Sequence, residues 1–257
     1  MNPALFSRGR LAVWGGCLAL AFALPLVLKS GFVISLLCQI GIMAVFSLSY
    51  NMLLGQTGLL SFGHAVYYGL GAFATMHMLN AIGKGGGPLV TALLPLVGGL
   101  AGMAAGVVLG YVTTRKAGTT FAMITLGIGE LVAACSLMFP AVFGGEGGVS
   151  GNRVVGKDSF LGFTWGPQVE MYGLIVLWAF ACTIAMFALT QTPLGRMANA
   201  VRDNPERAEF VGYDTERVRF LMVILSGFFA GMAGGLSALN YEIVTAETLN
   251  AHTSGIV

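Results

Sequence analysis

Seven apolar runs divide the chain: Leu11–Leu28, Gly31–Leu54, His64–Ile82, Pro88–Val112, Thr119–Met138, Met171–Thr190 and Phe220–Leu239. Each is close to the roughly 20 residues that a helix needs to cross a bilayer. The runs are long and unalternating, whereas barrel strands would be short and would switch faces at every residue. The pattern predicts an all-α, polytopic membrane protein with about seven spans, read as a single transmembrane domain over residues 1–257.

The polar positions between the runs differ in character. Gly55-Gln56-Thr57-Gly58-Leu59-Leu60-Ser61-Phe62-Gly63, after the second run, carries no charge. Neutral, glycine-rich chain beside apolar spans suits backbone turned into the protein interior, where discontinuous helices line substrate pathways. A short neutral turn accounts for it equally well. Residues 139–170 form a long outer loop containing Gly144-Gly145-Glu146-Gly147-Gly148, read either as a flexible connector or as backbone able to approach a ligand. Residues 191–219 form a long inner loop, the one charge-dense stretch. There Asn204 can cap a helix, Pro205 fits its first position, and Gly212 can end it. This predicts a short helix over Pro205–Val211, with Asp214 capping the helix that leads into the seventh span. Two turns are unstable alone in water, so the helix must dock on its own protein or on a partner.

Glycine recurs at helical spacing. Gly98, Gly102, Gly106 and Gly110 share one face of the fourth run, and Gly227, Gly231 and Gly235 one face of the seventh. Such faces let backbones approach closely in lipid.

Composition excludes the soluble alternatives. The chain is 56% hydrophobic and only 9% charged, with mean hydropathy +0.82, too little charge to cover a soluble surface of this size. The net charge of +2 gives no footing for nucleic acid. Alternation of the spans places nine of the thirteen basic residues on the side of Arg8 and Arg10, leaving Lys29, Lys84, Arg153 and Lys157 on the other. The excess of Lys and Arg marks the first side as cytoplasmic, with the N-terminus inside. A signal-peptide reading of the first run, cleaved near Ala21-Phe22-Ala23, is weaker because the apolar stretch is too long.

Few residues carry chemistry. Cys17, Cys38, Cys135 and Cys182 stand singly in apolar runs, with neither metal-ligand nor disulfide spacing. Gly151 to Lys157 mimics a phosphate-binding loop, but Asp158 follows where Ser or Thr is required. No nucleotide site, metal, cofactor or catalytic set is expected, so the chain does not read as an enzyme. Glu130 is an acid well inside a span, about 16 Å along the helix from Thr119. It is either functional or an interhelical hydrogen-bonding group, and in both cases is expected to be shielded from lipid. His64 either lines a pathway or anchors a helix end. Asn51, Gln56, Thr57 and Ser61 offer uncharged hydrogen-bonding groups suited to the ends of a zwitterion, or to joining helices.

Three segments together resemble a family. Gly195-Arg196 with Ala200-Val201-Arg202-Asp203-Asn204-Pro205-Glu206-Arg207-Ala208-Glu209 and Gly212-Tyr213 is similar to the cytoplasmic loop of branched-chain amino-acid ABC permeases of the LivM type. Asn51 to Gly58 with Ser61-Phe62-Gly63-His64-Ala65 resembles that family's early polar motif, and Phe228 to Gly234 its later glycine-rich helix. The resemblance implies a permease in the bacterial inner membrane. It would pair with a second related permease, two cytoplasmic ATPase subunits and a periplasmic substrate-binding protein, and would import branched-chain amino acids by alternating access. The inner loop would then couple to an ATPase through Arg202, Asp203, Asn204, Pro205, Arg207, Glu209, Phe210 and Gly212. Related permeases carry urea or short amides, and a passive channel for a small neutral solute is the reading from another class. The outer loop departs from the family's pattern at Gly144–Gly148, which leaves the substrate open. Family members continue beyond Val257 into at least one more span, so the chain is expected to be C-terminally incomplete.

Overall fold

The computed structural model describes residues 8–27, 30–83, 91–154, 165–250 and 254–255. The described residues of the seven apolar runs lie on long helices, apart from the 3-10 turn Thr91–Leu93 before the fourth: α1 (Arg8–Val27), α2 (Gly31–Thr57), α3 (His64–Gly83), α4 (Leu94–Thr113), α5 (Thr119–Met138), α7 (Gln168–Gln191) and α10 (Thr215–Tyr241). Five of these, α2, α4 with its preceding 3-10 turn, α5, α7 and α10, are long and apolar enough to cross a membrane. The short helices α6 (Pro140–Phe143), α8 (Pro193–Asp203) and α9 (Pro205–Phe210) lie in the two long loops, and a two-stranded antiparallel sheet joins β1 (Val149–Ser150) to β2 (Ile243–Val244).

The centre of the bundle is α10. Its most apolar stretch is 72% buried, against 28% to 33% in the other four spanning helices. The glycine faces make this position possible. An added Cβ at Gly102 would overlap the Gly227 carbonyl, and one at Gly231 the Gly98 carbonyl. On another side of α10, a Cβ at Gly234 would overlap the Tyr68 carbonyl of α3. Lipid supplies no hydrophobic drive for helices to associate, so backbone-to-backbone packing of this kind must provide much of the cohesion. Large apolar side chains such as Val108, Met123 and Leu131 instead face outward, as a bilayer solvent allows.

The uncharged stretch after α2 is a short, packed connection. Gly58 caps α2 in the left-handed conformation (φ 69°), Leu59, Ser61 and Gly63 are buried, and α3 begins at His64. The Phe62 N–H donates to Thr125 Oγ1 of α5 at 3.2 Å, and the Ala65 N–H to Ser254 Oγ at 2.8 Å.

The outer glycine-rich run is ordered by pairing rather than left as a loose connector. Gly144, Gly145 and Gly148 take positive φ, and Gly148 lies so close to the Val244 carbonyl that no Cβ fits. The Gly156-Lys157-Asp158 decoy lies outside the described residues, as do Ile256 and Val257 of the expected further span.

Candidate functional site

At the end of the bundle expected to face the cytoplasm, α7 ends at Gln191 and the chain turns at once into α8. Thr192 caps α8, its hydroxyl accepting from the Gly195 N–H at 3.4 Å, and Pro193 opens it. Gly195, Ala198 and Val201 form the buried stripe, three residues apart, that seats α8 on the ends of α2, α7 and α10. Sequence reading missed this helix, although Thr192-Pro193 carries the same cap-and-proline signature as Asn204-Pro205.

Asn204 ends α8 and begins α9. Pro205 excludes helical geometry at the residue before it, and Asn204 sits at φ −157°, ψ 96°. Its side chain accepts from the Arg207 N–H at 2.9 Å. The helix ends at Phe210, one residue short of the expected Val211. Gly212 follows at φ 95°, and the Tyr213 N–H returns to the Ala208 carbonyl at 3.0 Å. Asp214 caps α10 as expected, accepting from the Arg217 N–H at 3.0 Å. Only Ala208 of α9 is buried; Phe210 is 90% exposed and Val211 70%. A groove of about 300 Å³ runs beside them, between Asp203, Arg207, Val211 and Tyr213.

The charged members of the loop divide. Arg207 is exposed. Arg202 is committed within the chain: it donates to the Gly55 carbonyl at the end of α2 and pairs with Asp203 at 2.9 Å. It therefore caps α2 rather than offering a free charge to a partner. Glu209 is likewise engaged, accepting from the Thr215 hydroxyl at 2.7 Å.

The six pathway candidates do not converge. Asn51 and Gln56 line a cavity of about 450 Å³ near the start of α1 and the ends of α2 and α7, joined there by Thr183, Thr190, Gln191 and Asn199. Thr57 turns away, donating to the Leu53 carbonyl at 2.6 Å, and Ser61 is buried in the connection. His64 is fully buried against Phe46, Tyr50 and Tyr67, with Nε2 3.0 Å from Ser49 Oγ. The Ser49 hydroxyl hydrogen goes to the Phe46 carbonyl at 2.6 Å, so the imidazole Nε2–H is the donor. The Ser49 carbonyl in turn accepts from Ser226 of α10 at 2.6 Å. His64 thus anchors the start of α3 to α2 at a point where α10 also attaches.

Glu130 lies elsewhere and corrects an expectation. Among the described residues no neighbouring helix shields it. It is exposed on α5 and lines an open groove of about 650 Å³ that Ala133, Leu137, Glu146, Glu247 and Asn250 also border. The cost of a carboxylate in hydrocarbon still applies, and the described residues leave it uncovered.

Arg153, which the sequence marked only as one of four basic residues opposite the basic side, organises the other end of the bundle. Arg153, only 8% exposed, donates to the Leu239 and Asn240 carbonyls at the end of α10, and to the Gly166 carbonyl and Gln168 Oε1 at the start of α7. Its backbone N–H donates to Glu242 Oε1 at 2.9 Å. Its expected place among the few cations opposite the basic side was the signal that the sequence offered.

Residues 32–257 match the family described as "Branched-chain amino acid transport system / permease component". The chain is 28% identical to the high-affinity branched-chain amino acid transport system permease protein LivM of Salmonella typhimurium and 29% identical to that of Escherichia coli, over 93% of its own length in each case. It spans 60% of the length of these two relatives. A shorter stretch, 54% of the chain, is 27% identical to the fructose import permease protein FrcC of Rhizobium meliloti, covering 40% of that protein. No solved structure matches the chain. With a match running from the start of α2 to the last residue, on a helical scaffold built to cross a membrane, the chain belongs to the branched-chain amino acid transport system permease family.

Proposed function

We propose that the chain is a membrane-spanning subunit of an ATP-driven importer that moves branched-chain amino acids inward by alternating access. One observation carries the reading: α9 holds Phe210 almost fully in the open, with the exposed Val211 just past its end, on a helix capped at both ends and seated by Ala208. A two-turn helix fixed in place with its apolar side chains outward suits insertion into a cleft on a soluble ATPase subunit, and two such subunits complete the importer. Orientation follows the basic residues, with the N-terminus and α9 on the cytoplasmic side. A periplasmic binding protein delivers substrate to the opposite face. The LivM relatives support branched-chain amino acids as cargo. A different solute on the same scaffold is a second reading, favoured by the stretch matching a permease named for fructose.

Phe210→Ala is expected to uncouple the reconstituted complex: subunits assemble, but substrate no longer stimulates ATP hydrolysis. Arg207→Ala should do less, because an exposed ion pair is worth at most about 1 kcal/mol. Normal stimulation in Phe210→Ala would place the coupling elsewhere.

The exposed Glu130 fits a second, related permease packed over the α5 groove. Glu130→Leu should then weaken co-purification of the two permeases while the chain alone still inserts. Unchanged co-purification would remove Glu130 from the interface.

A further inference from the structure

We propose that the turn joining α4 to α5 forms, with the start of α10, a binding site for an anionic phospholipid headgroup. A groove of about 680 Å³ lies there, lined by Tyr111, Thr114, Arg115, Lys116, Arg217 and Phe220, with Glu216 the one carboxylate in its wall. Among the described residues, Arg115 and Lys116 have no carboxylate within ion-pair distance, whereas Arg217 is held by Asp214 at 2.8 Å. The Arg115 guanidinium lies 4.6 Å from the centre of the Tyr111 ring, which positions it without using up its N–H donors. Thr114 turns its hydroxyl inward to the Gly110 carbonyl, so the donors facing the groove are cationic.

A second feature identifies the occupant as a lipid. Below the groove, the outer face of α4 presents Val108, Tyr111 and Val112, all more than half exposed, at the spacing that continues to Arg115. Cations at the end of an uncovered apolar stripe, with an aromatic ring between, match a phospholipid: phosphate on Arg115 and Lys116, acyl chain along the valines. A soluble anion would have no use for the stripe, and a cytoplasmic protein could not reach it within the bilayer. Basic pockets at helix ends on the cytoplasmic side are suited to such headgroups. The leaflet named here rests on the orientation proposed above; the groove's selectivity does not.

The test is native mass spectrometry of the full chain in detergent, with phosphatidylglycerol and phosphatidylcholine of identical acyl chains added in parallel. The parent should retain phosphatidylglycerol preferentially. The double variant Arg115→Gln/Lys116→Gln should hold it on the order of tenfold more weakly, with phosphatidylcholine unaffected. Glu216→Gln should strengthen retention, a gain that misfolding could not produce. Glycerol phosphate without acyl chains should not displace the lipid. Equal retention of both lipids by the parent, unchanged phosphatidylglycerol binding in the double variant, or displacement by glycerol phosphate would each overturn the proposal. Protection of Lys116 from amine labelling only when a protein partner is added, and not with phosphatidylglycerol, would overturn it in favour of a protein interface.

Discussion

Gly231→Leu should prevent recovery of folded chain, and even Gly231→Ala should cost about 1–3 kcal/mol, the range for overpacking a tight interior. Gly231 lies where α10 crosses two helices at once. A Cβ there would enter the Gly98 carbonyl and press on Gly102 Cα at 3.0 Å, and on the α3 side a Cβ added to Gly71 would come within 2.5 Å of the Gly231 backbone. These obstacles are backbone atoms, which cannot rotate away as a side chain would, so the helices must part. Separation would also loosen the adjoining contacts Gly102–Gly227 and Gly234–Tyr68, because all of them depend on the position of α10. The matched control is Gly127→Ala on α5, where nothing stands within 4 Å of the added methyl group. Thermal unfolding of the purified variants, followed by loss of the monodisperse peak, should show a large drop for Gly231→Ala and none for Gly127→Ala. Equal behaviour of the two would mean that the close crossing does not hold the bundle together.

Arg153→Met is expected to be the most damaging change at its end of the bundle, at about 1–3 kcal/mol for a buried acceptor left without its partner. Met keeps much of the length and apolar stem but removes every donor. The Leu239 and Asn240 carbonyls at the end of α10 and the Gly166 carbonyl would then lose a buried partner together. Glu242, held in the left-handed conformation at φ 57°, would lose the charge that faces it at 3.9 Å. The sheet pairing of Val149 with Val244 should loosen as a result, since Arg153 is what ties that loop to α10. Arg153→Lys should recover little, because a single ammonium cannot span acceptors on two separate segments. Hydrogen exchange at residues 149–153 and 239–244 checks this directly. Protection like the parent's in Arg153→Met would assign the order of the outer loop to the backbone pairing alone.

The two variants fail for different reasons, and the difference marks what was legible in the chain. The Gly98–Gly110 and Gly227–Gly235 stripes could be read because helical periodicity puts every fourth residue on one face, and small residues on a face in lipid have few uses besides close packing. The same local logic located α9, since a cap, a proline and a terminating glycine act within a few residues of one another. The exposure of Phe210 is partly local too, because a six-residue helix with Ala208 turned inward has little else to bury.

Arg153 could not be read in this way. Its partners lie on α10 and before α7, far along the sequence, and no spacing rule relates them. Arg202 misled for the same reason: an arginine in a charged loop looks free until the fold brings the end of α2 beneath it. Glu130 shows the reverse case. Sequence established that a carboxylate sits deep in a span and needs cover, but its position on the open side of α5 is a property of how the helices are arranged.

From sequence alone came the elements set by periodicity and by the solvent: long apolar helices, a basic side, the glycine faces and the short capped helix, all governed by interactions within a few turns or with the bilayer. Tertiary structure decided which helix is central, which charges are consumed, and which polar groups meet. Those outcomes depend on contacts between segments far apart in the chain, whose geometry is fixed only when α10 is packed between α3 and α4.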